Sequence, residues 1–200
     1  MSQPFAEITE SSLHTFYAEC WQWDEPPAFG QLLCVEDAHY AQFSIVTHVT
    51  TKARDQHRMT TPLKMPPHQL QQEYPHIFKL LHTQFTGVVI GHFTHQNFVY
   101  QAPPFPAQLH SFIRPATHSE YEAVFAHEAY ISMLFHTPHL DASLDELILA
   151  ILRHKAYHNI LTKTRINRII DTYSVLINND YRRLKVLLQR IERLKNAYLQ

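Results

Sequence analysis

Sixteen of the 200 residues are histidine, and their spacing is the first feature of this chain that could do chemistry. In His154-Lys-Ala-Tyr-His158 the i and i+4 positions put both imidazoles on one face of a helix, which is how many zinc sites begin. His92-Phe-Thr-His95 and His136-Thr-Pro-His139 are closer pairs, but they span expected strand ends or loops. Zinc takes three or four ligands. Cys20 and Cys34 stand in metal spacing neither with each other nor with a histidine. No metal site is therefore expected, and His154 with His158 is the pair that comes nearest to one.

Two further groups of residues invite a chemical reading. Arg54, Asp55 and Arg58 form a compact charged cluster, either an anion clamp or a solvated loop with a local Arg–Asp pair. His110 lies in "QAPPFPAQLHSFIRP" (101–115), with no carboxylate or cysteine near it in sequence, so a histidine that satisfies neighbouring groups is the expectation. The G-x-S-x-G, H-E-x-x-H and paired-carboxylate patterns are all absent. Only three glycines occur, Gly30, Gly87 and Gly91. Without clustered glycines a backbone cannot crowd its N–H groups around a phosphate, so neither the Walker loop nor the dinucleotide fingerprint exists here. No catalytic residue and no cofactor are assigned, and a non-catalytic role is expected.

These residues sit on two kinds of element. The first half reads as β: "FGQLLCVE" (29–36), "AQFSIVTHVTT" (41–51), "QFTGVVIGH" (84–92) and "NFVYQ" (97–101). The second run alternates Phe43, Ile45 and Thr47 with Ser44, Val46 and His48. Gly87 and Gly91 point to a bend or a close backbone contact within a strand. A helical excursion interrupted near Pro75 is expected between the strand pairs. Pro103, Pro104 and Pro106 then stiffen a connector, with His110 on a short final strand beside Leu109 and Phe112. After residue 116 the period changes to that of a helix. Thr117-His-Ser-Glu120 and Ser143-Leu-Asp-Glu146 are capping boxes that start helices at about 118–136 and 143–160, followed by helices at about 164–178 and 180–199. The fold class expected is α+β, with a mostly antiparallel small β-barrel of about six strands in residues 1–116 and about four helices in 117–200.

The order "FGQLLCVE", "FSIVTHVTT", Arg54-Asp-Gln-His-Arg58, Gln69-Leu-Gln-Gln-Glu-Tyr-Pro75, "FTGVVIGH" and "APPFPAQLHSFIRPA" resembles the HAS barrel, over about residues 28–116. That barrel is carried by HerA-type hexameric DNA-translocating ATPases and by subunits of rotary ATP synthases. The resemblance implies a closed barrel and a role in assembling subunits around an ATPase. It departs from the family where a P-loop domain would follow: a helical segment stands there, so no catalytic residue carries over.

Charge narrows the choice of partner. Residues 1–150 hold six basic and 15 acidic residues, a net charge of −9, while 151–200 hold 11 basic and three acidic, a net of +8. In the last helix an apolar stripe of Leu184, Leu187, Ile191 and Leu194 reads either as a face packed within its own bundle or as a seam for another chain. Arg165, Arg168, Arg182, Arg183, Lys185, Arg190 and Arg193 form a basic patch suited to phosphates or to an acidic barrel. The expected partners are protein subunits, an ATPase among them, and a second copy of the chain in a dimer; nucleic acid is the alternative. No run of about 18 apolar residues exists, so no membrane span is expected. The start "MSQPFAEITE" has neither a basic n-region nor an apolar h-region, and a cytoplasmic protein is expected.

Overall fold

The computed structural model describes residues 3–36, 40–54, 62–94, 97–138, 140 and 142–198. The chain opens with a hairpin that the periodicity did not announce, β1 (Ala6–Ser11) and β2 (Thr15–Cys20). The barrel continues through β3 (Leu32–Glu36), β4 (Ala41–Ala53), β5 (Leu81–Thr94) and β7 (Phe112–Pro115), with a short β6 (Asn97–Val99) paired to the end of β5. Neighbours run β2-β1-β7-β3-β4-β5, and β2 pairs back onto β5. The six-strand antiparallel barrel expected from the sequence is thereby closed. Closure leaves none of the six as a free edge. The excursion between β4 and β5 is helical as expected, as α1 (Pro67–Glu73) and α2 (Pro75–Phe78), with Pro75 opening the second.

Side-chain alternation sorts the barrel into an inside and an outside. Ile8, Phe16, Ala18, Leu33, Val35, Val46, Phe85, Val89 and Ile113 fill the interior. Gly87 lies under the Phe16 ring, where a Cβ would overlap the aromatic carbons, so the interior closes only over a glycine. The opposite faces of β3, β4 and β5 carry Leu32, Cys34, Phe43, Ile45, Val88 and Ile90, and these are buried as well. Strands that are apolar on both faces need a cover on the outside, and the C-terminal helices supply it.

Five helices, not four, form that cover: α3 (His118–Val124), α4 (Ala129–His136), α5 (Leu144–Tyr157), α6 (Lys163–Leu176) and α7 (Tyr181–Tyr198). The expected helix at 118–136 is broken at Phe125–Glu128. Tyr100, just beyond β6, causes the break. Its hydroxyl donates to the Val124 carbonyl at 2.8 Å and accepts from the His127 N–H at 3.3 Å, groups that a continuous helix would pair with its own backbone. Thr117 forms the complete capping box with Glu120. Ser143 does not, because Glu146 reaches Arg190 of α7 instead.

The helices and the outer barrel wall share one apolar cluster, which runs from Leu32 of β3 to Ile191 of α7. Gly30 is where α5 comes closest. Its φ of +79° is a conformation that L side chains rarely adopt, and a Cβ there would sit 2.5 Å from the Ala150 Cβ. Arg114 of β7 ties α3 down. Its guanidinium binds Glu36 of β3 at 2.6 Å and both carboxylate oxygens of Glu120 at 2.7 and 2.8 Å.

The proline-rich run is more than a stiff connector. Pro103 and Ala107 are buried, and Ala107 belongs to the barrel interior. His110 is not on the final strand, which begins at Phe112. It sits in a turn at φ 68°, with its N–H on the Ile8 carbonyl and Nδ1 3.0 Å from Glu7.

Candidate functional site

The apolar stripe of α7 is spent inside the molecule. Leu187 and Ile191 are 2% exposed, and Leu184 and Leu194 pack against the same cluster, with α7 lying on α5. Of the two readings of these three leucines and one isoleucine, the structure has the face packed within its own bundle, which leaves the stripe no room as a seam for another chain. An amphipathic helix and a coiled-coil strand share the same stripe, and α5 claims it here.

The basic patch divides into two sets. Arg190 makes a bidentate pair with Glu146 at 2.6 and 2.8 Å, and Arg183 binds both oxygens of Asp145 at 3.2 and 3.0 Å. Asp145 also accepts the Tyr173 hydroxyl, whose pKa is driven up by burial first and then by this carboxylate. Arg165 donates to the Ile160 carbonyl at 2.7 Å, closing the turn before α6. Arg168, Arg182, Lys185 and Arg193 are exposed and hold no ion pair among the described residues. At 100° per residue, Arg182, Lys185 and Arg193 share the solvent side of α7, and they span about 16 Å at 1.5 Å per residue.

The charge contrast along the sequence is thus mostly settled within the helical half. Up to Ala116 there are six basic and nine acidic residues, a net of −3. Beyond it there are 11 basic and nine acidic, a net of +2. The acidic residues that made the first 150 residues so negative include the α5 carboxylates that neutralise α7.

His154 and His158 do not converge on a common point. His154 places Nε2 3.2 Å from the Phe29 carbonyl, and the His158 ring stacks on Tyr121 at a centroid distance of 3.8 Å. Burial lowers the pKa of both; the neighbouring cation Arg153 adds to this at His154, and His118 adds to it at His158. Among the described residues no group of three or more His, Cys, Asp or Glu could hold a metal ion. His95, His139, Asp55 and Arg58 lie outside the described residues; Arg54 is bound to Glu19 at 3.1 Å. Cys20 and Cys34 are buried and free, and burial first of all pushes their thiols up to about 11 and about 12. No described helix is long and apolar enough to cross a membrane.

Two features escaped the sequence reading. Lys155 is wholly buried on the core side of α5. Its Nζ has no hydrogen-bond partner among the described residues and lies 4.9 Å from the Phe125 ring centroid and 5.5 Å from that of Tyr130. Burial lowers its pKa to about 8, although nearby Glu128 acts against this. The other feature is the wall that the helices leave bare, on the outside of β2, β1 and β7. Tyr17, Trp21 and Phe112 are about half exposed there, with Trp21 edge-on to Phe112 at 5.3 Å. Outward-facing Glu7 lies opposite Glu19 on one side and Phe112 on the other. Alternation in "TFYAEC" predicts Tyr17 as outward, but only once those residues are known to be a strand.

Compared with known proteins, the chain matches no family model and no curated protein.

Proposed function

We propose that this chain is a non-catalytic assembly protein that docks on other subunits through the bare wall of its barrel, with a HerA-type ATPase as the partner that the sequence resemblance names. The observation that carries this reading is the exposed aromatic group Tyr17, Trp21 and Phe112, rimmed by Glu7 and Glu19, on a closed barrel whose other wall is covered. Aromatic anchors with a polar rim are the usual make-up of protein–protein hot spots. The resemblance in motif order to the HAS barrel supports the same reading. A cytoplasmic location accords with it, since such ATPases act on DNA inside the cell. Self-association, with a dimer as the first expectation, runs through the same wall, because the α7 stripe is occupied.

The test is to mix the purified chain with the HerA-type ATPase of the same organism and follow association by sedimentation velocity. A complex at micromolar concentration is expected, weakened at least about tenfold in Trp21→Ala/Phe112→Ala, a loss of about 1.4 kcal/mol. No complex, or a complex indifferent to both substitutions, overturns the reading. The same run on the chain alone reports the dimer.

A second reading rests on Arg168, Arg182, Lys185 and Arg193. Four unpaired cations, three of them along one helix, suit a nucleic-acid accessory factor. Titration with random duplex DNA then gives a slope of log K against log salt of about −0.9 per phosphate contacted. Absence of binding at low salt eliminates this reading and leaves the first untouched.

A further inference from the structure

Between the C-terminal half of α5 and the strand ends at Gln31 and Pro115 lies a cleft of about 450 Å³. That volume is within the range of small-molecule sites. Gln31, Tyr121, Arg153, His154, Tyr157 and His158 supply its larger side chains, and no carboxylate lines it among the described residues. Tyr121 is buried and its hydroxyl accepts the Leu32 N–H at 3.0 Å, which fixes the back wall. The His158 ring lies flat on Tyr121 and edge-on to Tyr157 at 5.5 Å.

Three further facts describe what could enter. Tyr157 is 80% exposed, an aromatic ring at the rim that no described residue covers. Arg153 has no ion pair among the described residues and touches only the Phe29 carbonyl, at 3.4 Å, so most of its donors are free. The amide oxygen of Gln31 accepts the Ala28 N–H, which leaves its NH2 group as a donor. Burial lowers the pKa of both histidines, which favours their uncharged forms, and leaves Arg153 as the permanent cation of the cleft. The site thus presents aromatic faces and one guanidinium, with no carboxylate among its described lining residues.

We infer that this cleft binds a nucleotide unit, its base stacked on the Tyr157 ring, to which His158 stands edge-on at 5.5 Å, and its phosphate held by Arg153. A guanidinium takes phosphate oxygens two at a time, and aromatic side chains accept any base face. The unit has two sources, a free mononucleotide or one residue of a single strand. The inference stands apart from the assembly reading and shares only its ligand class with the nucleic-acid reading.

Calorimetric titration of the full chain with adenosine monophosphate, adenosine, inorganic phosphate and single-stranded oligothymidine tests it. The monophosphate or the oligonucleotide is expected to bind saturably, and the phosphate-free and base-free probes at least about tenfold more weakly. Arg153→Gln and Tyr157→Ala should each lower affinity by about tenfold, while Tyr157→Phe, which keeps the ring, should not. Both side chains are exposed, so unchanged melting curves accompany these losses. Binding by the oligonucleotide alone, still lost in both variants, assigns the source to a strand. No saturable binding by either probe overturns the inference. So does oligonucleotide binding that survives Arg153→Gln and Tyr157→Ala yet disappears in Arg182→Gln/Arg193→Gln, an outcome that moves the nucleic-acid reading to the α7 ridge.

Discussion

Replacing Lys155 with methionine is expected to stabilise this protein at neutral pH. The side chain is wholly buried, its ammonium has no hydrogen-bond partner among the described residues, and two ring faces are its nearest company. Its pKa falls from the usual 10.5 to about 8, with burial as the main cause. At 1.36 kcal/mol per pH unit, keeping the charge in place at pH 7 costs about 3 kcal/mol. Methionine preserves the unbranched stem and gives its sulfur to the same rings. Some cation–π attraction is lost, and Glu128 loses a favourable neighbour, so a net gain of about 2 kcal/mol is expected, or roughly 4–8 °C in melting temperature. The pH dependence has a definite sign. The lysine binds its proton less tightly in the folded state than in the unfolded one, so the wild type gains stability as pH rises from about 8 to 10.5, whereas the variant does not. Urea unfolding of both proteins between pH 7 and 10.5, repeated in a Glu128→Gln background, measures the difference. A variant less stable than wild type at pH 7 in both backgrounds refutes the reasoning, as does a difference that stays constant across that pH range.

Leu187→Gln/Leu194→Gln is expected to unfold the chain or cost several kcal/mol, because Leu187 is buried against α5; circular dichroism showing a stable, folded variant would reopen the stripe as an interface. Gly30→Ala should cost about 2 kcal/mol or more in thermal unfolding, since the φ of +79° and the approach to Ala150 both oppose a side chain. Ala150→Gly alone should not restore that loss, because the backbone strain stays. Arg114→Met should destabilise by about 3 kcal/mol, as it leaves the partly buried Glu120 without its cation. The Glu120 pKa is lowered, with Arg114 and Thr117 hydrogen bonds outweighing the opposing effect of burial, so its contribution is present above the normal carboxylate range and is lost as pH falls below it. Acid unfolding of Arg114→Met should accordingly be flatter than that of wild type in this range.

The elements most legible in the sequence were those whose residues answer only to their neighbours along the chain. The alternation at Phe43–Val46 and the Thr117–Glu120 capping box depend on residues a few positions apart, and both hold. The proline run was legible as a break in pairing, although not as the source of Ala107 in the barrel interior. The N-terminal hairpin was missed because its outward positions carry Glu7, Glu10 and Glu19, and Ile8 is the only large apolar residue of β1. The break at Phe125–Glu128 is set by Tyr100, which no local pattern could introduce. Lys155 shows the same limit: a lysine beside His154 and Arg153 reads as a solvated face until the rings of Phe125, after α3, and Tyr130, in α4, close over it. The α7 stripe was visible as a stripe, but its choice of α5 as partner is a tertiary fact. For the candidate sites, residue types were readable and pairings were not, so Arg183 and Arg190 looked as free as Arg182 and Arg193.

The wall of β3, β4 and β5, apolar on both faces, imposes an order on biosynthesis. The barrel is complete once Pro115 has left the ribosome, yet the outer side of Phe43, Ile45, Val88 and Ile90 has no cover until α3–α7 follow. At roughly 5–20 residues per second the remaining residues take some 4–17 s to be made. During that interval the nascent barrel shows water a continuous hydrophobic sheet, the kind of surface that trigger-type chaperones hold. Translation speed over residues 117–200 therefore sets how long each molecule runs the risk of aggregating.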